Sequence, residues 1–153
     1  MSYFEEPAEF ALADARHVLL AGDESSIGEL ADVLAMLPIC ARGQVFVEVE
    51  DASAIELLQS PGRVVVTWLT RTARSGEPGT GTGCARGQAV ARATRAWASE
   101  MLDVDGHESA EYHVWIGGET DHLMGLRNDL RMTLASVGAR AARRAGAPER
   151  ASH

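Results

Sequence analysis

Apolar and polar positions along the chain follow two alternating periods. His17-Val18-Leu19-Leu20-Ala21 is a short apolar run closed by Gly22, the pattern of a buried strand. Behind it, Ile27, Leu30, Ala31, Leu34 and Leu37 recur at the spacing of one helical face. Ser26 and Glu29 have capping-box spacing at the start of that helix, and Pro38 ends it. Residues 44–50, rich in Val and Phe, predict a second strand, and residues 52–58 a short helix. Residues 63–69 predict a third strand, whose nearly continuous apolar character implies cover on both faces. Residues 70–83 form a long loop rich in Gly, Thr and Arg. Residues 84–101 predict a helix carrying Val90, Trp97 and Met101 on one side. Residues 112–116 predict a fourth strand closed by Gly117-Gly118. Thr120 then caps a last helix that buries Leu123, Leu126, Leu130, Leu134 and Val137.

Strands separated by helices imply βαβ units, and hence an α/β fold with a doubly wound, mainly parallel sheet in three layers. Right-handed crossovers bring every strand-to-helix turn to one edge, where open sheets of this kind bind ligands. Three segments converge there: residues 22–26, 70–83 and 117–120. The chain divides into an N-terminal arm (1–15), the α/β domain (16–137) and an arginine-rich tail (138–153) that is either an extended helix end or disordered.

Composition narrows the function. The 153 residues suit one domain with one core. No apolar run reaches the roughly eighteen residues of a membrane span, and the acidic N-terminus does not read as a secretory signal, so the expected compartment is the cytoplasm. The net charge of −8 argues against nucleic acid as a partner. All fourteen basic residues are arginine, which leaves no lysine for Schiff-base chemistry. Cys40 and Cys84 cannot form a secreted-type disulfide framework, and the histidines lack metal-ligand spacing, so no metal site is expected. Cys84 at a helix N-terminus would be activated, but no base partner is apparent.

At the binding edge each feature has two readings. Gly22-Asp23-Glu24-Ser25-Ser26 follows a strand and opens a helix, so its N–H groups either receive a phosphate or form a plain capped turn. It is not a GxGxxG fingerprint, and Asp23 and Glu24 put negative charge where a pyrophosphate would sit. The Gly79-Thr80-Gly81-Thr82-Gly83 run wraps a phosphate or is a flexible loop. Arg71 and Arg74 are phosphate forks or solvated loop charges. Glu119, behind two glycines, binds a hydroxyl or amide donor or complements the helix N-terminus.

Four segments in order carry a family resemblance. Residues 17–27 (HVLLAGDESSI) resemble the hallmark segment of siderophore-interacting proteins, the flavin-dependent ferric-siderophore reductases. Residues 43–49 (GQVFVEV) resemble their second strand, residues 66–71 (VTWLTR) their third strand and its basic exit, and residues 114–119 (VWIGGE) with Leu126, Arg127 and Arg131 a later hallmark. The similarity runs from about Ala15 to Leu130. It covers only the C-terminal half of such reductases, which has the Rossmann-like fold of the NAD(P)H-binding domain in the ferredoxin-reductase superfamily. The flavin-binding barrel has no counterpart in this sequence. The family's closing Gly-Tyr-Trp-Arg motif is also missing, since residues 136–140 read SVGAR, and Gly28 replaces the usual proline of the first turn.

The resemblance therefore implies binding of NADP or NAD, with FAD not expected on this chain alone. It implies cofactor contacts from Gly22, Asp23, Glu24, Ser25 and Ser26, from Thr70 and Arg71, and from Gly118 and Glu119, with Arg71 on a phosphate and Glu119 near the nicotinamide. No acid–base residue is needed, because the hydride chemistry belongs to the cofactors. The implied partners are a separate flavin-binding protein and a ferric siderophore. The competing expectation is a non-catalytic ligand-binding or assembly module that has lost the cofactor site. Arg140, Arg143, Arg144 and Arg150 either grip an anionic siderophore or an acidic partner or form a solvated helix end. An uncovered sheet edge predicts a homodimer.

Overall fold

The computed structural model describes residues 15–76, 79, 81–102 and 112–144, with side chains through residue 136. β1 (His17–Asp23) passes through one 3-10 turn (Glu24–Ser26) into α1 (Ile27–Met36). β2 (Arg42–Val49) and β3 (Arg63–Thr70) follow, and then α2 (Gln88–Met101), β4 (Tyr112–Ile116) and α3 (Asp121–Arg144). The four strands form one parallel sheet in the order β3-β2-β1-β4. The chain winds outward from β1 to β3 and then returns across the sheet to β4. The winding direction therefore reverses at β1, and the carboxyl ends of β1 and β4 flank the switch point where such sheets bind ligands.

Two cores sandwich the sheet. Val18 and Leu20 of β1, with Val45, Val47 and Val49 of β2, pack against Leu30, Val33 and Leu34 of α1. On the opposite face Leu19, Ala21 and Phe46 meet Val90 and Ala91 of α2 and Leu123, Leu126 and Leu130 of α3. Period-two alternation along β1 thus feeds both layers. Each fully buried leucine contributes roughly 2 kcal/mol of apolar transfer. The last helix seats its leucines as its spacing predicts, with Leu134 partly buried at the margin. It continues through residue 138 as far as Arg144, while the Val137 side chain lies outside the described residues.

Several local expectations are corrected. Ala31 is exposed and Val33 takes its place in the core, because the contact stripe of α1, which keeps Leu30, Leu34 and Leu37, is turned slightly toward Val33. β3 is an edge strand: Val64 and Leu69 are buried, but Val65 is 57% exposed, so cover on both faces is incomplete. Only Ala52–Ala54 forms a turn of 3-10 helix. Asp51 accepts hydrogen bonds from Ser53, the local side-chain competition that favours a turn over a helix, and residues 55–60 are irregular. α2 begins at Gln88 rather than at Cys84, and Met101 at its end is 43% exposed. Among the described residues no helix is long and apolar enough to cross a membrane.

Candidate functional site at the carboxyl edge of the sheet

The first turn is closed by its own side chains. Asp23 is 1% exposed, and its Oδ1 accepts from the Ser25 amide at 3.0 Å and from the Ser25 hydroxyl at 2.5 Å. Ser26 Oγ accepts from the Asp23 amide at 3.1 Å and donates to the Asp23 carbonyl at 3.0 Å. The capping box is therefore Asp23–Ser26, three residues ahead of the Ser26–Glu29 pair, and Ser26 makes no side-chain cap bond to α1. Gly22 is required by this fold-back, since a Cβ there would stand 2.3 Å from Ser26 Oγ. The Asp23 and Ser25 amides already have acceptors, and a buried carboxylate occupies the position of a bound anion. Arg86, approaching from the loop before α2, donates to Asp23 Oδ2 at 3.2 Å.

A second cluster joins three strands to α2. Glu48, fully buried near the end of β2, accepts from Arg71 Nη1 and from the Gly87 amide at 2.7 Å each, and from the Val90 amide at 2.9 Å. A carboxylate from the sheet thus satisfies two free amides at the start of α2 and complements that end of the helix dipole. This capture fixes the start of α2, with Gly87 at its N-cap in the left-handed region (φ +88°). The Cys84 thiol consequently lies outside the helix and donates to the Ser75 carbonyl at 3.1 Å. Arg71 also forms a fork with both oxygens of Glu24. Hydrogen bonding to Glu24, reinforced by Glu48, holds the Arg71 guanidinium firmly protonated. The bond from Arg71 in turn keeps the Glu24 carboxyl below its usual range.

At the end of β4 the chain turns through Gly118, which has φ +91° and lies against Leu123. Thr120 Oγ1 accepts from the Leu123 amide at 3.3 Å and caps α3. Arg127, nearly two turns into α3 and 8% exposed, donates to the Ile116 carbonyl at 3.1 Å and to the Gly118 carbonyl. Burial lowers its pKa, against the opposing fields of Glu119 and Glu29.

Beyond β3 the chain lines an open cavity of about 570 Å³ with Thr72, Ala73, Arg74, Ser75, Gly79, Gly81, Thr82 and Gly83. Its wall is held in shape. Ser75 and Gly83 pair as an antiparallel bridge, and Arg92 of α2 donates to the Ser75 and Gly76 carbonyls. Arg74 is exposed and makes no ion pair among the described residues.

The sequence-derived candidates are thus gathered at one edge but in different states. Gly22, Asp23, Ser25 and Ser26 form the closed turn. Glu24 and Arg71 are paired with each other, so a phosphate reaching Arg71 has to compete with two carboxylates. Thr70 is half-buried and precedes the turn Arg71–Ala73 without capping it. Gly118 is buried and Glu119 is exposed. Of the tail arginines, Arg150 lies outside the described residues, as do the side chains of Arg140, Arg143 and Arg144. Glu48, Arg86 and Arg127 were missed as structural members of the edge. Two of them left a signal: Glu48 interrupts a run of valines in a strand, and Arg127 falls within the leucine stripe of α3.

Comparison with known proteins places this arrangement. The ferric vibriobactin reductase ViuB of Vibrio cholerae is 28% identical over 114 residues, covering 74% of this chain and 36% of the relative. A siderophore utilization protein from T. fusca superposes with a TM-score of 0.54 at 28% identity, over 85% of this chain and 41% of that one. The siderophore-interacting protein of Acinetobacter baumannii gives 0.51 at 17% identity, over 75% and 39%, a likeness of fold. The chain thus spans about two fifths of the length of these relatives. The family model for siderophore-interacting proteins matches residues 15–142. With its four parallel strands and the hallmark segments at one edge, the chain belongs to the siderophore-interacting protein family.

Proposed function

We propose that this chain is a nicotinamide-nucleotide module that works with a flavin carried by a separate polypeptide to release iron from a ferric siderophore in the cytoplasm. The observation that carries this reading is the cavity beyond β3. It lies at the ligand-binding edge of the sheet and offers one arginine fork that has no acidic partner among the described residues, Arg74, beside Thr72 and Ser75. The first turn does not fit a diphosphate, because its amides are already bonded and its carboxylates repel one. The cavity does fit an anion. In this reading Arg74 pairs a phosphate of NADPH or NADH, and Thr72 and Ser75 donate to its oxygens. Glu119 accepts from an amide or hydroxyl near the nicotinamide end. The Glu24–Arg71–Glu48 cluster keeps the exit of β3 rigid, so that Arg74 is presented at a fixed place. The bound cofactor supplies the hydride, and no side chain of this chain has to move a proton.

The test is titration of the purified protein with NADPH and with NADH, followed by nicotinamide fluorescence, alone and with a flavoprotein partner. Absence of binding into the millimolar range under both conditions refutes the reading. A second reading, a ligand-binding or assembly module without hydride chemistry, is favoured by the closed first turn. Hydride transfer to added flavin, lost in Arg74→Ala, overturns that alternative. The open β3 edge also supports a homodimer, which sedimentation equilibrium measures directly.

A further inference from the structure

We propose a second binding site at the opposite, amino edge of the sheet, for a small oxyanion carrying two or three negative charges. An open cavity of about 490 Å³ there is lined by Arg16, His17, Cys40, Arg42 and Arg63. His17, Arg42 and Arg63 are in register across three neighbouring parallel strands, so their side chains leave the same face of the sheet. Strands lie about 4.8 Å apart, so the two arginine side chains start side by side, within reach of the oxygens of one phosphoryl or polycarboxylate group.

Charge makes this grouping unusual. The chain carries 22 acidic residues against 14 arginines. Elsewhere, Arg71, Arg86 and Arg95 are ion-paired, and Arg92 and Arg127 are bonded to carbonyls. Arg16, Arg42 and Arg63 make no side-chain hydrogen bond or ion pair among the described residues. Three like charges line one cavity, and none of them is ion-paired among the described residues. His17 lies in register beside Arg42, and its ring is held by Tyr112 at a centroid distance of 5.2 Å. An oxyanion seated in this cavity would supply the arginines with their counter-charge. A concave site of this volume suits a small ligand better than the flat face of a protein partner. β1 is 7 residues long, so this cavity lies about 20 Å from the first turn. The two sites are independent, and failure of the nicotinamide titration leaves this inference standing.

The test is ¹H–¹⁵N NMR titration of the protein with pyrophosphate and, separately, with citrate at constant ionic strength, following residues 16, 17, 40, 42 and 63. Saturable shifts confined to this edge are expected, together with a loss of affinity of at least about tenfold in Arg42→Ala/Arg63→Ala. Preference for pyrophosphate identifies a phosphoryl ligand, and preference for citrate a carboxylate one. No saturation by about 10 mM of either probe, a millimolar limit that marks negligible affinity, overturns the proposal. So do shifts located at the carboxyl edge, or unchanged binding by the double variant. Should that variant fold poorly, as judged by far-UV circular dichroism, Arg42→Gln and Arg63→Gln singly carry the same comparison.

Discussion

Replacing Glu48 by Gln keeps the shape of the side chain and removes only its charge and one acceptor. In the native arrangement Oε2 serves Arg71 and the Gly87 amide, and Oε1 serves the Val90 amide. Whichever oxygen becomes an amide NH₂, a donor then faces at least one buried donor. An unsatisfied buried group costs about 1–3 kcal/mol, and a bond to a charged partner contributes about 1.5–3 kcal/mol. Arg71 keeps Glu24, so the roughly 3–5 kcal/mol penalty of a stranded buried charge is not reached. The expected loss is about 3 kcal/mol, a large part of the roughly 5–15 kcal/mol of an ordinary domain. At about 2–4 °C per kcal/mol for a chain of this size, Tm falls by about 6–12 °C. Urea unfolding followed by far-UV circular dichroism should show a lower midpoint with an unchanged slope. A double-mutant cycle with Arg71→Met should return a coupling of about 0.5–3 kcal/mol. A Glu48→Gln variant within about 0.5 kcal/mol of wild type, the range of a plain surface substitution, would refute the reasoning.

Further outcomes follow from the same geometry. The bond from Arg71 holds the Glu24 carboxyl below its ordinary value of 4.5, so this pairing stabilises the fold fully above about that pH and is lost as pH falls through the lowered pKa. The stability gap between wild type and Glu24→Gln should therefore be at most about 1 kcal/mol at neutral pH and should close on acidification. Gly118→Ala sets a Cβ 2.5 Å from Leu123 Cδ1 at φ +91° and should cost about 1–3 kcal/mol in thermal unfolding; full stability would show that the turn relaxes freely. Arg74→Ala should weaken NADPH binding about tenfold without moving Tm, whereas Arg71→Ala should lower Tm first, and the reverse pattern would return the phosphate to Arg71.

Much of the architecture was legible along the chain. The apolar run in β1 and the leucine spacing of α3 mark their elements because each must bury a face of fixed period. The alternation of strands and helices is enough to bring residues 22–26, 70–83 and 117–120 to one edge. Patterns confined to one segment failed where a distant group competed for the same atoms. Ser26 does not cap α1 because Gly22 lets it fold back onto Asp23. Residues 84–87 do not join α2 because Glu48 captures the Gly87 amide.

The sequence by itself determined a parallel α/β domain and the family segments at its carboxyl edge, since periodicity and local turns are properties of neighbours in the chain. Only the tertiary structure decided which charges at that edge are already paired. Glu48 meets the start of α2 across 39 and 42 residues, and Arg71 meets Glu24 across 47. It also put Arg42 beside Arg63 at the opposite edge. Electrostatic pairing depends on distance in space, and that distance exists only once the strands are set in register.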